Sequence, residues 1–209
     1  MANSDPENHR RRSIRLRGYD YSQAGAFFVT ICSWNKQCLF GDVVDSDMRL
    51  NVIGRIAEEQ WQAIPQRFPD VELDAFVVMP NHIHGIVVIV GARDRTAENR
   101  ATARVAPTGS IRNHDSDNET PAVGATLAVA RSGTPTVGNI VGAYKSLCVH
   151  QALTWIRHDS PGQILGKLWQ RNYWEHVIRN EAELSGIREY ICNNPLQWEL
   201  DALNPAQDR

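Results

Sequence analysis

Runs of apolar and β-branched residues predict the strands of this chain. Residues 26–32 form one such run, and two more, at 71–79 and 82–90, are separated only by Pro80 and Asn81. So short a break between two strands predicts an antiparallel hairpin. A shorter run at 38–44 indicates a short strand or extended segment, and residues 167–178 indicate a last strand.

Three segments repeat their apolar residues at helical spacing. The first extends from residue 47 to Pro65, the second starts at Val137, and the third starts after Asn180 as N-cap and stops at Pro195. In chain order, the strands and helices predict the α+β class, with an antiparallel sheet, helices on one face and a ferredoxin-like arrangement. A parallel sheet is disfavoured because two residues cannot make a crossover.

Composition divides the chain into a domain and three polar segments. Residues 18–200 are expected to form a single domain, interrupted at 92–136 by an insertion of low complexity without periodicity. Residues 1–17 are expected to be a flexible basic arm, and residues 201–209 a tail. The formal net charge of −2 argues against a general basic coat for nucleic acid. The arm nevertheless concentrates arginines: Arg10, Arg11, Arg12, Arg15 and Arg17.

The four cysteines include no Cys-x-x-Cys pair, which argues against a zinc knuckle or a dithiol redox motif. The first residues lack the apolar core of a signal peptide, and no run is long enough for a membrane span. We therefore expect a soluble, cytoplasmic protein with no membrane partner.

The strand predicted at 82–90 carries two histidines with one residue between them. Alternate side chains of a strand share a face, so His82 and His84 are expected to point the same way, with Ile83 pointing into a core. Two imidazoles so placed can bind one divalent cation and leave positions open for water or substrate. The alternative is that one histidine is a hydrogen-bonded core residue and the other is exposed.

A second pair lies on the last predicted helix. Tyr190 and Asn194 are four residues apart and therefore share a face. If that face covers the histidines, Asn194 offers a neutral oxygen ligand, and Tyr190 places a phenol beside the cation as a nucleophile for a phosphodiester. A hard cation such as Mg²⁺ or Mn²⁺ suits such a mixed set of nitrogen and oxygen donors. The alternatives are that Tyr190 is a buried core aromatic, or that Tyr173 is the nucleophile.

Three segments together resemble a known family. They are residues 80–84 (Pro-Asn-His-Ile-His), residues 168–179, and residues 189–195 (Glu-Tyr-Ile-Cys-Asn-Asn-Pro). In this order they are similar to the single-tyrosine HUH transposases, and specifically to the REP-associated tyrosine transposases. The similarity extends over about 15–91 and 137–198, whereas the insertion does not match the family's short connection.

The resemblance implies an HUH endonuclease fold, with His82, His84 and Asn194 as ligands of Mg²⁺ or Mn²⁺ and Tyr190 as the nucleophile. It also implies single-stranded and hairpin DNA as partners, cleaved at palindromic repeats and rejoined through a 5′-phosphotyrosine. A homodimer is compatible with it, but it fixes no oligomeric state. The alternatives are a non-catalytic protein that binds DNA hairpins, and a replication initiator or relaxase with the same two-histidine chemistry.

Further cationic and aromatic residues are candidates for contacting DNA. Unpaired bases can stack on tryptophan and on the arginine guanidinium plane, and phosphates attract lysine and arginine. The alternative for each is a core position or a solvated surface. The candidates are Trp169, Arg171 and Trp174 for stacking, and Arg15, Arg17 and Lys145 for the backbone.

Overall fold

The computed structural model describes residues 23–90 and 134–208. The arm predicted at 1–17, which includes Arg15 and Arg17, lies outside the described residues, as does most of the insertion predicted at 92–136.

Four antiparallel strands form the central sheet, in the order β4-β5-β1-β6. Their bounds are Gly25–Cys32 for β1, Val71–Val78 for β4, His82–Ile89 for β5 and Trp174–Ile178 for β6. The predicted hairpin is confirmed, because β4 and β5 pair antiparallel across Pro80 and Asn81. Strands β2 (Gly41–Val44) and β3 (Asp47–Leu50) form a separate hairpin.

The described helices begin at side-chain caps where the sequence supplies them. Asn51 caps α1 (Val52–Gln62), Thr136 caps α3 (Val137–Asp159), and Asn180 caps α4 (Glu181–Asn193), as predicted for that last residue. The short α2 (Ile64–Arg67) follows α1, with Pro65 in its first turn. The described residues also form three 3₁₀ helices: Trp34–Lys36, Pro195–Leu200 and Pro205–Asp208.

Helices α1 and α3 cover one face of the sheet and build the larger core. Phe27, Val29 and Ile31 of β1 and Ile83 and Val87 of β5 are fully buried there against both helices. The expected inward orientation of Ile83 is therefore confirmed.

The α1 and α3 helices are joined within this core by a buried hydrogen bond. The Tyr144 hydroxyl of α3 donates to the Ala57 carbonyl of α1 at 3.0 Å. This contact satisfies a polar group that would be costly to bury unpaired.

Helix α4 lies on the opposite face over a smaller cluster made by Phe28, Ile86, Ile178 and Ile191. Arg188 of α4 also makes two hydrogen bonds to the Asp74 carboxylate of β4, at 2.9 and 2.6 Å. A planar guanidinium paired twice with one carboxylate fixes direction as well as distance. The apolar cluster and this ion pair together hold α4 over β5, the strand that carries the histidines, and over its neighbour β4.

The α+β class and the antiparallel sheet are confirmed. The helices, expected on one face of the sheet, lie on both faces, because α1 and α3 pack on one face and α4 on the other. Two of the predicted elements are also wrong in part. Residues 47–50 form β3 and do not begin the first helix, which starts at Val52. In the segment predicted as one strand at 167–178, regular pairing begins only at Trp174, after an isolated bridge between Trp169 and Ser33. Among the described helices, none combines the length and apolar character that a membrane span requires.

A candidate metal and nucleophile site

The two histidines project from β5 into the space under α4. His82 is 0% exposed and His84 is 3% exposed, and their ring centroids are 4.4 Å apart. Ile83, between the two histidines, and Gly85, directly after His84, face the larger core. A Cβ added to Gly85 would lie 2.2 Å from Cζ2 of Trp61, so only glycine lets β5 lie this close to α1.

Asn81 fixes the orientation of the His82 ring. The Asn81 amide nitrogen donates to the carbonyl oxygens of Lys36 at 3.0 Å and Leu203 at 2.7 Å. Its amide oxygen must then face Nδ1 of His82, 2.8 Å away, and since that oxygen only accepts, Nδ1 carries the proton. The lone pair of His82 is therefore on Nε2.

A similar contact holds His84. Thr30 on the neighbouring strand β1 pairs with His84, and its hydroxyl oxygen lies 2.9 Å from Nδ1. On the other side of the ring, the Tyr190 hydroxyl lies 3.1 Å from Nε2. A hydroxyl can donate or accept, so a proton on Nδ1 satisfies both contacts, with Thr30 accepting and Tyr190 donating.

Burial keeps both imidazoles neutral. It lowers the pKa of His82 to about 4, and the neighbouring Asn194 side chain partly offsets this although no hydrogen bond of standard geometry joins them. The pKa of His84 falls to about 3, first through burial and then through His82, while Asp201 acts in the opposite direction. Neutral imidazole is the form that binds a metal ion.

Helix α4 brings Tyr190 and Asn194 to the histidines, with one helical turn between them. Asn194 is the C-cap of α4 and is 1% exposed, whereas Tyr190 is 42% exposed. The Tyr190 ring packs edge-on against Phe28, with centroids 6.1 Å apart. Partial burial, and then the charge of Asp201, raise the pKa of Tyr190, while the Asn194 side chain lowers it.

Asp201 belongs to the same site, although it falls within the segment assigned from sequence to a tail. Its Oδ2 lies 3.8 Å from Nε2 of His82, and its Oδ1 accepts from the Leu203 amide at 2.6 Å. Neither periodicity nor a motif distinguishes this aspartate in the sequence. Its position depends on the turn after Pro195–Leu200 and on the bond from Asn81 to the Leu203 carbonyl.

The donor atoms at this site fit a divalent ion. One ligand atom from each of His82, His84 and Asp201 lies within 4.8 Å of the other two. Within the described residues, Nε2 of His82 and Oδ1 of Asn194 are buried and have no hydrogen-bond partner. Each unpaired buried group costs about 1–3 kcal/mol, a cost that coordination would remove. Two imidazole nitrogens, an amide oxygen and a carboxylate can thus hold a metal ion.

A cavity of about 250 Å³ gives access to this site. It is lined by Tyr190, Asn194 and Asp201, together with Gln197 and Leu200 of the following segment. The half-exposed Tyr190 and the buried Asn194 therefore line the same cavity.

Of the residues expected to contact DNA, Trp174 is the most exposed aromatic, at 44%. Trp169 is 9% exposed and packs against Phe40 and Tyr144, with its indole nitrogen donating to the Lys145 carbonyl at 3.2 Å. Arg171 is exposed.

Lys145 and Tyr173 are engaged with neighbouring protein groups. The ammonium of Lys145 donates to the backbone carbonyls of Gln170 and Asn172, at 2.9 and 3.0 Å, and burial lowers its pKa to about 8. The hydroxyl of Tyr173, the rival nucleophile, donates to the Glu175 carboxylate at 2.8 Å. The structure thus brings Tyr190, and not Tyr173, to the two histidines.

Comparison with known proteins finds a bacterial relative of similar sequence. It is 38% identical over 200 residues to an uncharacterized protein of Haemophilus influenzae, and the match covers 93% of each chain. The chain belongs to the family of that protein. No protein-family model matches it.

A solved structure shares the fold. It is a REP-associated tyrosine transposase bound to a REP hairpin, with a TM-score of 0.51, 18% sequence identity, and coverage of 88% of this chain and 73% of that one. The fold expected from the resemblance is thereby confirmed.

Proposed function

We propose that this chain is a single-tyrosine HUH transposase. In this proposal it is a divalent-metal-dependent endonuclease and strand transferase acting on single-stranded DNA at hairpin-forming palindromic repeats. The observation that carries the proposal is the site itself, in which an accessible phenol meets two neutral imidazoles and buried acceptors that lack hydrogen-bond partners. The fold shared with a tyrosine transposase supports it.

The residues that would hold Mg²⁺ or Mn²⁺ are His82, His84, Asn194 and Asp201. A bound divalent cation would polarise the scissile phosphodiester and offset the charge that builds on its oxygens. Asn81 and Thr30 serve this site by keeping the two rings in one orientation, with protons on Nδ1.

Tyr190 performs the covalent step. Its phenolic oxygen attacks phosphorus, a bond forms from Tyr190 to the 5′ phosphate, and the bond from phosphorus to the 3′ oxygen breaks. The phenol proton leaves to solvent on the exposed side of the ring, and the departing 3′ oxygen takes a proton from water. The phosphotyrosine retains the energy of the broken bond, so a 3′ hydroxyl can attack it and rejoin DNA without a nucleotide cofactor.

The decisive experiment looks for that covalent intermediate. The full chain is incubated with Mn²⁺ or Mg²⁺ and an end-labelled single-stranded oligonucleotide that contains a hairpin and single-stranded flanks. We expect an adduct that survives denaturant, requires the metal ion, and disappears in Tyr190→Phe. Tyr173→Phe, which removes the rival hydroxyl, should still form it.

Three outcomes would count against this assignment. An adduct that persists in Tyr190→Phe and is lost in Tyr173→Phe would reassign the nucleophile. Hairpin binding without any adduct in the presence of metal would favour the non-catalytic hairpin-binding protein. Cleavage in which no 3′ hydroxyl can afterwards be rejoined to the bound strand would contradict strand transfer.

A further inference from the structure

A second cavity is lined by His84, one of the two histidines of the candidate metal site. It has a volume of about 370 Å³, within the usual size range of ligand pockets. Thr30 and His84 line the end nearest the candidate metal site, so any ligand in it would be next to the reacting phosphate. The rest of its wall includes Gln170, Asn172, Tyr173 and Trp174.

The wall of this cavity is fixed before any ligand arrives. The Lys145 ammonium donates to the backbone carbonyls of Gln170 and Asn172, and the backbone N–H of Gln170 donates to the carbonyl of Cys32 at 3.0 Å. On Gln170 and Asn172, these bonds involve backbone atoms only. None of the hydrogen bonds found within the described residues involves the side-chain amide of Gln170 or Asn172. The backbone of Gln170 and Asn172 is held by these bonds, and both residues line the cavity with side-chain amides that can still form hydrogen bonds.

Trp174 contributes a fixed aromatic surface. Its indole lies parallel to the His176 ring, with centroids 5.8 Å apart, and meets Phe28 edge-on at 5.6 Å. These two contacts set the orientation of a ring that remains 44% exposed. A rigid, exposed indole of this kind is suited to stacking on another planar ring.

The chemistry of the lining separates a base from a phosphate. Neither a lysine, an arginine, an aspartate nor a glutamate is among the described residues that line the cavity. Among these lining residues, no lysine or arginine side chain would pair with a phosphate. A flat heterocycle with donors and acceptors on its edge matches one aromatic face and two amides, because each amide offers both a donor and an acceptor.

We propose that this cavity, which we call the base pocket, takes one unpaired nucleobase of the DNA strand next to the scissile phosphate. The base stacks on Trp174, and Gln170 and Asn172 read its edge. This inference rests on the proposed function, and it assigns to these three residues the choice of nucleotide at the cleavage site.

The test measures binding without cleavage. The Tyr190→Phe protein, with metal chelated, is titrated against a fluorescent oligonucleotide containing a hairpin and single-stranded flanks. In a series of otherwise identical oligonucleotides, one flanking nucleotide at a time is made abasic. We expect one flanking position at which loss of the base weakens binding roughly 5- to 150-fold, the contribution of one stacked base at tenfold per 1.4 kcal/mol.

Variants then assign that position to the base pocket. In Trp174→Ala, the intact and abasic oligonucleotides should bind with nearly equal affinity, whereas Trp174→Phe should keep most of the difference. Gln170→Ala and Asn172→Ala should change which base is preferred at that position while retaining sensitivity to base loss. Gln62→Ala, an exposed glutamine of α1 on the opposite face of the sheet, is the matched control and should change neither.

The outcomes separate the two proposals. If no hairpin oligonucleotide binds at all, the proposed function fails together with the base pocket. If hairpins bind but no flanking base matters, or if the sensitive position is unchanged in Trp174→Ala, the base pocket alone is overturned.

Discussion

The Tyr190 hydroxyl lies 3.1 Å from Nε2 of His84. That nitrogen is also the atom with which His84 would bind a cation, because Nδ1 faces Thr30. One lone pair cannot accept the phenol proton and coordinate a metal ion at once. Binding of the ion therefore requires the phenol to leave His84, which couples metal loading to the release of the nucleophile.

This coupling predicts that Tyr190→Phe binds Mn²⁺ more tightly than the wild type. A typical hydrogen bond contributes about 0.5–1.5 kcal/mol net, so we expect affinity to rise roughly two- to tenfold. Isothermal titration calorimetry on the DNA-free protein measures it. Tyr173→Phe, which removes another hydroxyl outside the metal site, should bind Mn²⁺ as the wild type does. Weaker binding in Tyr190→Phe would instead make Tyr190 a ligand.

A second prediction concerns the hydroxyl that orients His84. Thr30→Val keeps the shape of the side chain but removes the partner of Nδ1, so the ring loses its fixed proton and orientation. Loss of such an outer partner typically costs 10- to 100-fold in metal affinity. Calorimetry with Mn²⁺ should show that loss in Thr30→Val and its recovery in Thr30→Ser. An equal loss in both variants would indicate a packing defect instead.

Asp201 provides a third prediction, because its carboxylate lies among the metal donors. Asp201→Asn retains an oxygen that can accept from the Leu203 amide but removes the charge. We expect the affinity for Mn²⁺ to fall at least tenfold, since a ligand should matter no less than the groups that orient ligands. Asp45→Asn, in an exposed turn, is the control. Unchanged affinity in Asp201→Asn would remove this residue from the donor set.

The parts of the site that the sequence predicts are those set by local periodicity. His82 and His84 share a strand face because side chains alternate, and Tyr190 and Asn194 share a helix face because they are one turn apart. Asp201 could not be predicted in this way, since its place depends on a contact between Asn81 and a carbonyl 122 residues away.

The missed elements also have physical reasons. Residues 47–50 look helical by spacing, yet Asp45 and Ser46 adopt positive φ of 53° and 65°, which reverses the chain and pairs β3 with β2. In the segment before Trp174, the carbonyls of residues 170 and 172 accept from Lys145 and so are taken out of a strand ladder. A sequence does not show which of its carbonyls a distant lysine will occupy.

The buried histidines predict that stability falls as the solution is acidified. Both have a native pKa below their ordinary value, to about 4 for His82 and about 3 for His84. Below pH 6.5 the unfolded chain takes up protons that the native site refuses, so unfolding becomes easier as pH falls towards 4. For each histidine the slope approaches about 1.4 kcal/mol per pH unit.

Denaturant unfolding of the metal-free protein between pH 6.5 and 4.5 measures this slope. His84→Gln retains a polar side chain but cannot titrate, so its free energy of unfolding should vary less steeply with pH than that of the wild type. Parallel curves for the two proteins would mean that His84 is already protonated in the native state or does not titrate on unfolding.

The last prediction concerns the close approach of β5 and α1 behind the histidines. In Gly85→Ala the new methyl group would lie 2.2 Å from Trp61, a fully buried ring. Such overpacking typically costs about 1–3 kcal/mol, and here the relief requires β5 to move, with both histidines on it. We therefore expect lower stability in denaturant together with weaker Mn²⁺ binding. Gly142→Ala is the matched control, because nothing lies within 4 Å of the added carbon and its position in α3 favours alanine by about 0.5–1 kcal/mol. If Gly85→Ala lost stability but kept full metal affinity, the position of β5 against α1 would not be what sets the geometry of the histidine pair.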